Sequence, residues 1–361
     1  MSLLSEQELS KMTDEAVALL QQLINTPSFS KEEQETADLI EGYLIGKELN
    51  PHRKGNNVWV HGQLQDKRKP TLLLNSHHDT VKPSEGWTRD PFTLVYEGDK
   101  LIGLGSNDAG ASVVALVAAF QHLNQIKQLP YNLILAITAE EEISGANGIS
   151  SVLPDLGQID LGIIGEPTGM QMAVAEKGLM VLDCIVQGKA GHAAREEGEN
   201  ALYKAMPSID WIKNYQFDQN SELLGPVKMT VTQIKSGSQH NVVPDRCEFV
   251  VDVRSNEKYT NQEILEIVSE HVDANVAPRS TRLGASGISL DHPVVKKGKS
   301  LGLNCYGSPT LSDQALLDFT TLKIGPGQSE RSHTADEFIL GSEIKDGIRF
   351  YIELLNGLQI L

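Results

Sequence analysis

Cysteine is scarce in this chain. Its 361 residues carry 3, Cys184, Cys247 and Cys305, far apart and without a C-x-x-C pair. That excludes a disulfide-stapled scaffold, a thiolate zinc site and a dithiol redox motif, and leaves buried, reduced thiols as the expectation. Long apolar runs are also missing: nothing approaches the roughly 18 residues needed to span a bilayer. Positive charge is in deficit, with 31 Lys and Arg against 48 Asp and Glu for a net charge of −17, and no basic block stands out. Nucleic acid and an anionic membrane surface are therefore excluded as expected partners. Repeats and low-complexity tracts are absent. The opening stretch MSLLSEQELSKMTDEAV is polar and acidic, unlike a signal peptide. Together these absences point to a cytoplasmic enzyme of small molecules.

The length exceeds that of one hydrophobic core, so two domains are expected. In the first half, helical and strand patterns alternate. DEAVALLQQLINT has helical spacing behind a Thr13 cap, and KEEQETADLIEGYLIGKEL is a second amphipathic helix. NNVWVHGQL alternates like a strand, and PTLLLNSH, YNLILAITA and LGIIGE are short apolar runs of the buried parallel kind. ASVVALVAAFQHLNQI and GISSVLPDL read as helices between them. This order predicts an α/β fold with a mostly parallel sheet, whose ligand site lies at the carboxyl ends of the strands.

The polar residues collect at those ends. TLLLNSHHD finishes in His77, His78 and Asp79; LILAITAEEE in Glu140, Glu141 and Glu142; LGIIGEP in Glu166. The glycine-rich turn GLGSNDAGA carries Asp108, and LKIGPGQSERSHTADEF brings His333 after another strand. Taken singly, Asp108 reads as a helix N-cap, the three glutamates as a solvated loop, and His333 as a surface residue. Taken together they form a nitrogen and oxygen donor set without sulfur, which suits zinc, cobalt or manganese in a catalytic site. Two ions close together need a shared carboxylate, and Asp108 is placed to bridge.

SHHDTVKP, GLGSNDAGA, TAEEEISG, IGEPT, GKAGHAA, NVVPDRCEFVVDVR and GPGQSERSHTADEF, in register along nearly the whole chain, resemble the dinuclear-zinc amidohydrolase and metallopeptidase family. That family includes acetylornithine deacetylase, succinyl-diaminopimelate desuccinylase, aminoacylase and glutamate carboxypeptidase. The resemblance implies a zinc-exopeptidase-like catalytic domain holding two divalent ions, zinc or alternatively cobalt. It makes His77 and Glu166 ligands of one ion, Glu142 and His333 ligands of the other, and Asp108 the bridge. Glu141 becomes the general acid/base, and Asp79 the group that orients the His77 imidazole. The sequence departs from the pattern at Gly110, where lysine is frequent, and at Ser76 and Pro83. The i, i+2 spacing turns His77 and Asp79 toward the metals and His78 to the packing behind.

Between Glu166 and His333 the pattern becomes β-α-β-β-α-β, the ferredoxin-like order. A lid and dimerisation domain is expected at 178–286, inserted into a catalytic domain of 1–177 and 287–361. The resemblance makes His192 the residue that helps stabilise the oxyanion, Asn241 and Arg254 substrate contacts, and the lid a homodimer interface. The competing reading of Arg254 is a salt bridge with Asp252. LNSHHDTVKP, GLGSNDAGAS and GSPTLSDQALL look most like the acetylornithine deacetylase branch. This implies deacetylation of N-acetylornithine in arginine biosynthesis, with N-acetylcitrulline, N-succinyl amino acids or dipeptides as alternative substrates. A non-catalytic relative that binds a metabolite is the reading from another class. Retention of Glu141 beside the complete ligand set opposes it.

Overall fold

The computed structural model describes residues 4–360, so Met1–Leu3 of the opening stretch and Leu361 lie outside it. The chain divides into two compact units. One takes the chain up to Val174, Ile288–Tyr306 and the chain from Ser312 onward; the other is Ala175–Gly287 with Gly307–Leu311. The second unit also takes in a short later segment. Gly307 shows why that segment fits: a Cβ there would lie 2.3 Å from the Leu223 carbonyl, and Ser308 O accepts from Lys177 N at 3.1 Å.

In the first unit the sheet orders its strands His52–Lys54, Asn57–His61, Asn132–Thr138, Thr71–His77, Leu161–Ile164 and Thr321–Lys323. The last four run parallel, in registers that include His77 opposite Thr138 and Asn75 opposite Ile164. Both faces are covered, which explains the near-continuous apolar strands. Leu72 and Leu74 join the larger core with Leu20, Leu116, Phe120 and Ile348, while Leu73 packs with Ile134, Ile149 and Val152 on the opposite face.

The first helix is longer than the sequence pattern suggests, Glu6–Ile24. Thr13 is not its cap; the Thr13 hydroxyl donates back to Leu9 O inside the helix. The start belongs to Ser5, whose Oγ accepts from Glu8 N while Glu8 accepts from Ser5 N, a reciprocal capping box. The helix Ala111–Leu123 is almost wholly buried and pins the chain that follows the Asp108 turn. A three-stranded antiparallel sheet of Phe338–Leu340, Lys100–Ile102 and Val95–Glu97 brackets that turn and the segment carrying His333.

The second unit forms a four-stranded antiparallel sheet in the order Lys228–Ser236, Arg246–Ser255, Gly178–Gln187, Asn275–Pro278, with helices Ala201–Asn214 and Asn261–His271. In chain order this is β-α-β-β-α-β with the first and third strands central, the ferredoxin-like arrangement. Alternate residues Leu182, Cys184, Val186, Phe249, Val251 and Val253 are buried against the helices. Cys184 and Cys247 are buried and unpaired here, and Cys305 in the first unit is unpaired too.

Candidate metal centre

The parallel strands end where the sequence put the polar residues. Thr71–His77 stops on His77, Asn132–Thr138 is followed by Glu141–Ile143 as one tight turn, Leu161–Ile164 precedes Glu166, and Thr321–Lys323 leads to His333. His77 is buried, 1% exposed, whereas His333 is 54% exposed, so the cluster is open on the His333 side.

Asp108 stands between the two imidazoles with one oxygen toward each: Oδ1 is 3.3 Å from His77 Nε2, and Oδ2 is 3.6 Å from His333 Nε2. Asp108 caps nothing, since Ala111–Leu123 begins behind Gly110 without a side-chain cap. Glu166 Oε1 lies 3.7 Å from His77 Nε2, and Glu142 lies 3.0 Å from His333 Nε2. Glu141 Oε2 is 3.8 Å from His77 Nε2. By distance alone, His77, Asp108 and Glu142 form one potential ion site, and His77, Glu141 and Glu166 another.

The triple glutamate is resolved by its backbone. Glu140 adopts a left-handed conformation (φ 56°) and turns its carboxylate onto Asn147, accepting from its N and Nδ2. Glu141 and Glu142 are left facing the imidazoles. Their turn is held by Asp79, whose carboxylate accepts from Glu141 N at 3.0 Å, Glu142 N at 3.2 Å and Ser30 Oγ at 2.7 Å. The expectation that Asp79 points at the metals with His77 is corrected here. The strand ends at His77, and Asp79 sits on the far, Nδ1 side of the ring, 3.4 Å away through its carboxylate and 3.0 Å through its main-chain oxygen. A carbonyl can only accept, so this bond puts the proton on Nδ1 and leaves Nε2 facing the cluster. His78 lies elsewhere, buried between Thr36 Oγ1 and the Asn56 carbonyl.

Electrostatics follow from crowding. Burial and the neighbouring Glu166, Asp313 and Glu142 push the Glu141 carboxyl well above its usual range against the pull of His77. Burial also raises Glu142. Burial opposes protonation of His77, but Glu141, Asp108, Asp79 and Glu166 outweigh it and hold the imidazole well above its ordinary value. The bond to Glu142 raises His333 to about 9. Four carboxylates thus share one pocket with two imidazoles, and cations would offset that repulsion. The oxygen and nitrogen donor set, with no sulfur, fits zinc-like divalent ions.

His192 and Asn241 belong to the second unit, where the structure brings them together: His192 pairs with Val242, and Ala193 N donates to Asn241 O. Both side chains are exposed. Arg254 adopts its alternative reading, because Nε and Nη2 hold both Asp252 oxygens at 2.9 and 3.2 Å.

Two buried acids escape a reading of strand ends. Glu337 is 2% exposed and accepts from Gly105, Asn107 and Asp108 N; burial and the Asp108 charge raise it to about 8. Asp313 accepts from Thr138 Oγ1 at 3.1 Å behind Glu141. Neither sits in a spacing that separates it from a surface acid. Asp336, beside Glu337, bonds Thr88 in the partly exposed loop.

Gly110 departs from the family pattern for a steric reason. A Cβ there would lie 2.5 Å from Gly105 O and 2.7 Å from Leu20 Cδ1. Gly110→Ala is expected to destabilise the protein by about 1–3 kcal/mol through overpacking, measured as a lower denaturant midpoint at unchanged slope.

Residues 57–165 match the family described as Peptidase family M28, and residues 174–279 the Peptidase dimerisation domain. Acetylornithine deacetylase of Pectobacterium atrosepticum is 30% identical over 77% of this chain and 77% of its own. Succinyl-diaminopimelate desuccinylase of Gluconobacter oxydans is 28% identical over 61% of each chain. A Bacillus subtilis protein described as a dinuclear metal binding peptidase from the M20 family superposes with a TM-score of 0.71 at 17% identity, over 96% of this chain and 98% of its own. The chain belongs to the M20 family of metal-dependent amidohydrolases and peptidases, enzymes that hydrolyse amide bonds.

Proposed function

We propose that this hydrolase removes the acyl group from an N-acyl amino acid, with N-acetylornithine as its substrate and ornithine and acetate as products. The observation that carries the metal-centred half of this reading is Asp108, with one oxygen toward each imidazole. His77, Asp108 and Glu166 would hold one ion and Asp108, Glu142 and His333 the other, zinc or its substitute cobalt. When bound, the ions supply the positive charge that polarises an amide carbonyl and acidifies water. Glu141 takes the proton from water and delivers it to the departing amine. Asp79 fixes the two glutamates by their N–H groups and the His77 ring by its main-chain oxygen. His192 and Asn241 are assigned to the substrate's acyl oxygen and chain. Arg254 is left out, its fork being taken by Asp252.

The choice of substrate is supported by the acetylornithine deacetylase relative and the sequence phrases shared with that branch. The desuccinylase relative favours N-succinyl amino acids as the second reading. Pairing of two copies through residues 174–279 is part of the proposal, on the strength of the dimerisation-domain match. So is a reducing cytoplasm, which the unpaired thiols suit. One preparation analysed for metal and assayed on matched acetyl, succinyl and dipeptide substrates tests it. The expected result is two ions per chain and the highest kcat/KM on N-acetylornithine. Fastest turnover of dipeptides would sink the deacetylase reading.

A further inference from the structure

We propose that Glu337 is the positioning residue that sets Asp108 between the two imidazoles, an inference that rests on Asp108 being the shared ligand. Glu337 Oε1 accepts from Asn107 N and Asp108 N, each at 2.9 Å, and Oε2 from Gly105 N at 3.2 Å. Three main-chain donors of one turn therefore converge on one carboxylate from 229 or more residues away. The turn is irregular, with Gly105 at φ 72° and Asp108 at φ −120°, ψ 97°. A carboxylate offers about four acceptor sites and can serve all three donors.

A second tie runs the same way. The buried Asn107 side chain donates to Gln328 O and Ser332 Oγ and accepts from Gln328 N at 2.9 Å. Both ties join the Asp108 turn to the segment 328–337, which also carries His333. The separation of Asp108 Oδ2 from His333 Nε2, 3.6 Å, is thus fixed by a frame anchored on Glu337. Glu337 bonds the main chain of Asp108 and leaves the ligating oxygens free, so it acts through Asp108.

Glu337→Gln keeps the size and one carbonyl acceptor but turns a second group into a donor against a donor. Glu337→Asp keeps the carboxylate one methylene short. Metal-free wild type, E337Q, E337D and D108N are titrated calorimetrically with Zn2+, and the visible absorption of the Co2+-loaded forms is recorded with kcat, KM and Tm. The expected E337Q is folded and binds its first ion as wild type does. Its second ion binds about 10–100-fold more weakly, as for lost partners of metal ligands, its Co2+ bands shift, and kcat falls more than KM changes. E337D falls between the two. A wild-type two-ion isotherm and Co2+ spectrum in E337Q would overturn the proposal. So would failure of both Glu337 variants to fold, since Glu337 would then serve the fold. D108N retaining both ions would instead overturn the assignment of Asp108 and the site reading with it.

Discussion

Glu141→Ala protein is expected to keep its ions and its fold and to lose turnover by roughly a hundred- to ten-thousand-fold, the range for removing a general acid/base. The adjacent Glu142→Ala is expected to lose an ion. The two carboxylates differ in what they face. Glu142 lies 3.0 Å from the His333 ring, and its neighbour Asp108 completes a potential ion site with His77. Glu141 lies 3.8 Å from the His77 ring, with which it and Glu166 form the other potential ion site by distance, and it stands inside a wall of Glu166, Asp313 and Glu142 that favours its protonated form. A group pushed toward protonation by its neighbours can accept a proton from water and hold it for the amine. Removing its side chain leaves untouched the N–H groups that Asp79 grips, so the turn and Glu142 stay in place. Metal content, Tm and kcat measured on one preparation check this. Full turnover in the metal-loaded variant would remove Glu141 from the reaction.

The site was legible because its parts are local. His77, Glu141, Glu142 and Glu166 stand within a few residues of a parallel strand's end, and such strands announce themselves by apolar runs such as TLLLN and LILAIT, while Asp108 and His333 lie on longer polar turns between them. The fold followed from the same runs, and the second unit from the switch to β-α-β-β-α-β. What stayed hidden is what depends on partners far along the chain. The grip of Asp79 on the Glu141–Glu142 turn, and of Glu337 on the Asp108 turn, join segments 62 and 229 residues apart. No spacing in a single sequence encodes such bonds. Asp336 and Glu337 differ in fate for the same reason: one meets the Thr88 loop, the other a ring of buried N–H groups. The missed start at Ser5 is different in kind, because the Ser5–Glu8 pair is a local signal. It was masked by the polar composition of the first helical turns.

His77→Gln and His78→Gln, neighbours in sequence, are expected to fail in opposite ways. His77 sends Nδ1 to the Asp79 main chain and Nε2 to the cluster of Asp108, Glu141 and Glu166. Replacing it removes an ion's imidazole, so affinity should fall by more than the roughly 10–100-fold typical of losing an outer partner, and activity should go with it. His78 is held far from that work: Nδ1 meets Thr36 Oγ1 at 3.0 Å, Nε2 meets Asn56 O at 2.9 Å, and burial lowers the ring to about 4. Nε2 must donate to the carbonyl, so Nδ1 accepts from the threonine, and the ring is a neutral bridge between the second helix (Gln34–Gly46) and the turn before strand Asn57–His61. Glutamine reaches one of those partners but not both. Loss of the donor to the Asn56 carbonyl costs about 1–3 kcal/mol, whereas Thr36 Oγ1 keeps the Glu33 carbonyl at 3.0 Å. The stability sign is fixed by the same geometry. A ring whose folded pKa is depressed is destabilising when protons are abundant, because the unfolded chain takes up a proton near the ordinary 6.5 and the folded one does not until about 4. The His78 contribution to stability therefore falls as pH drops from about 6.5 toward 4, so His78→Gln should lose less stability than wild type over that range while showing a lower neutral plateau. Denaturant midpoints from pH 4 to 8, beside zinc titrations of both variants, read the two outcomes separately. An ion lost from His78→Gln, or kept by His77→Gln, would reverse the assignment of the pair.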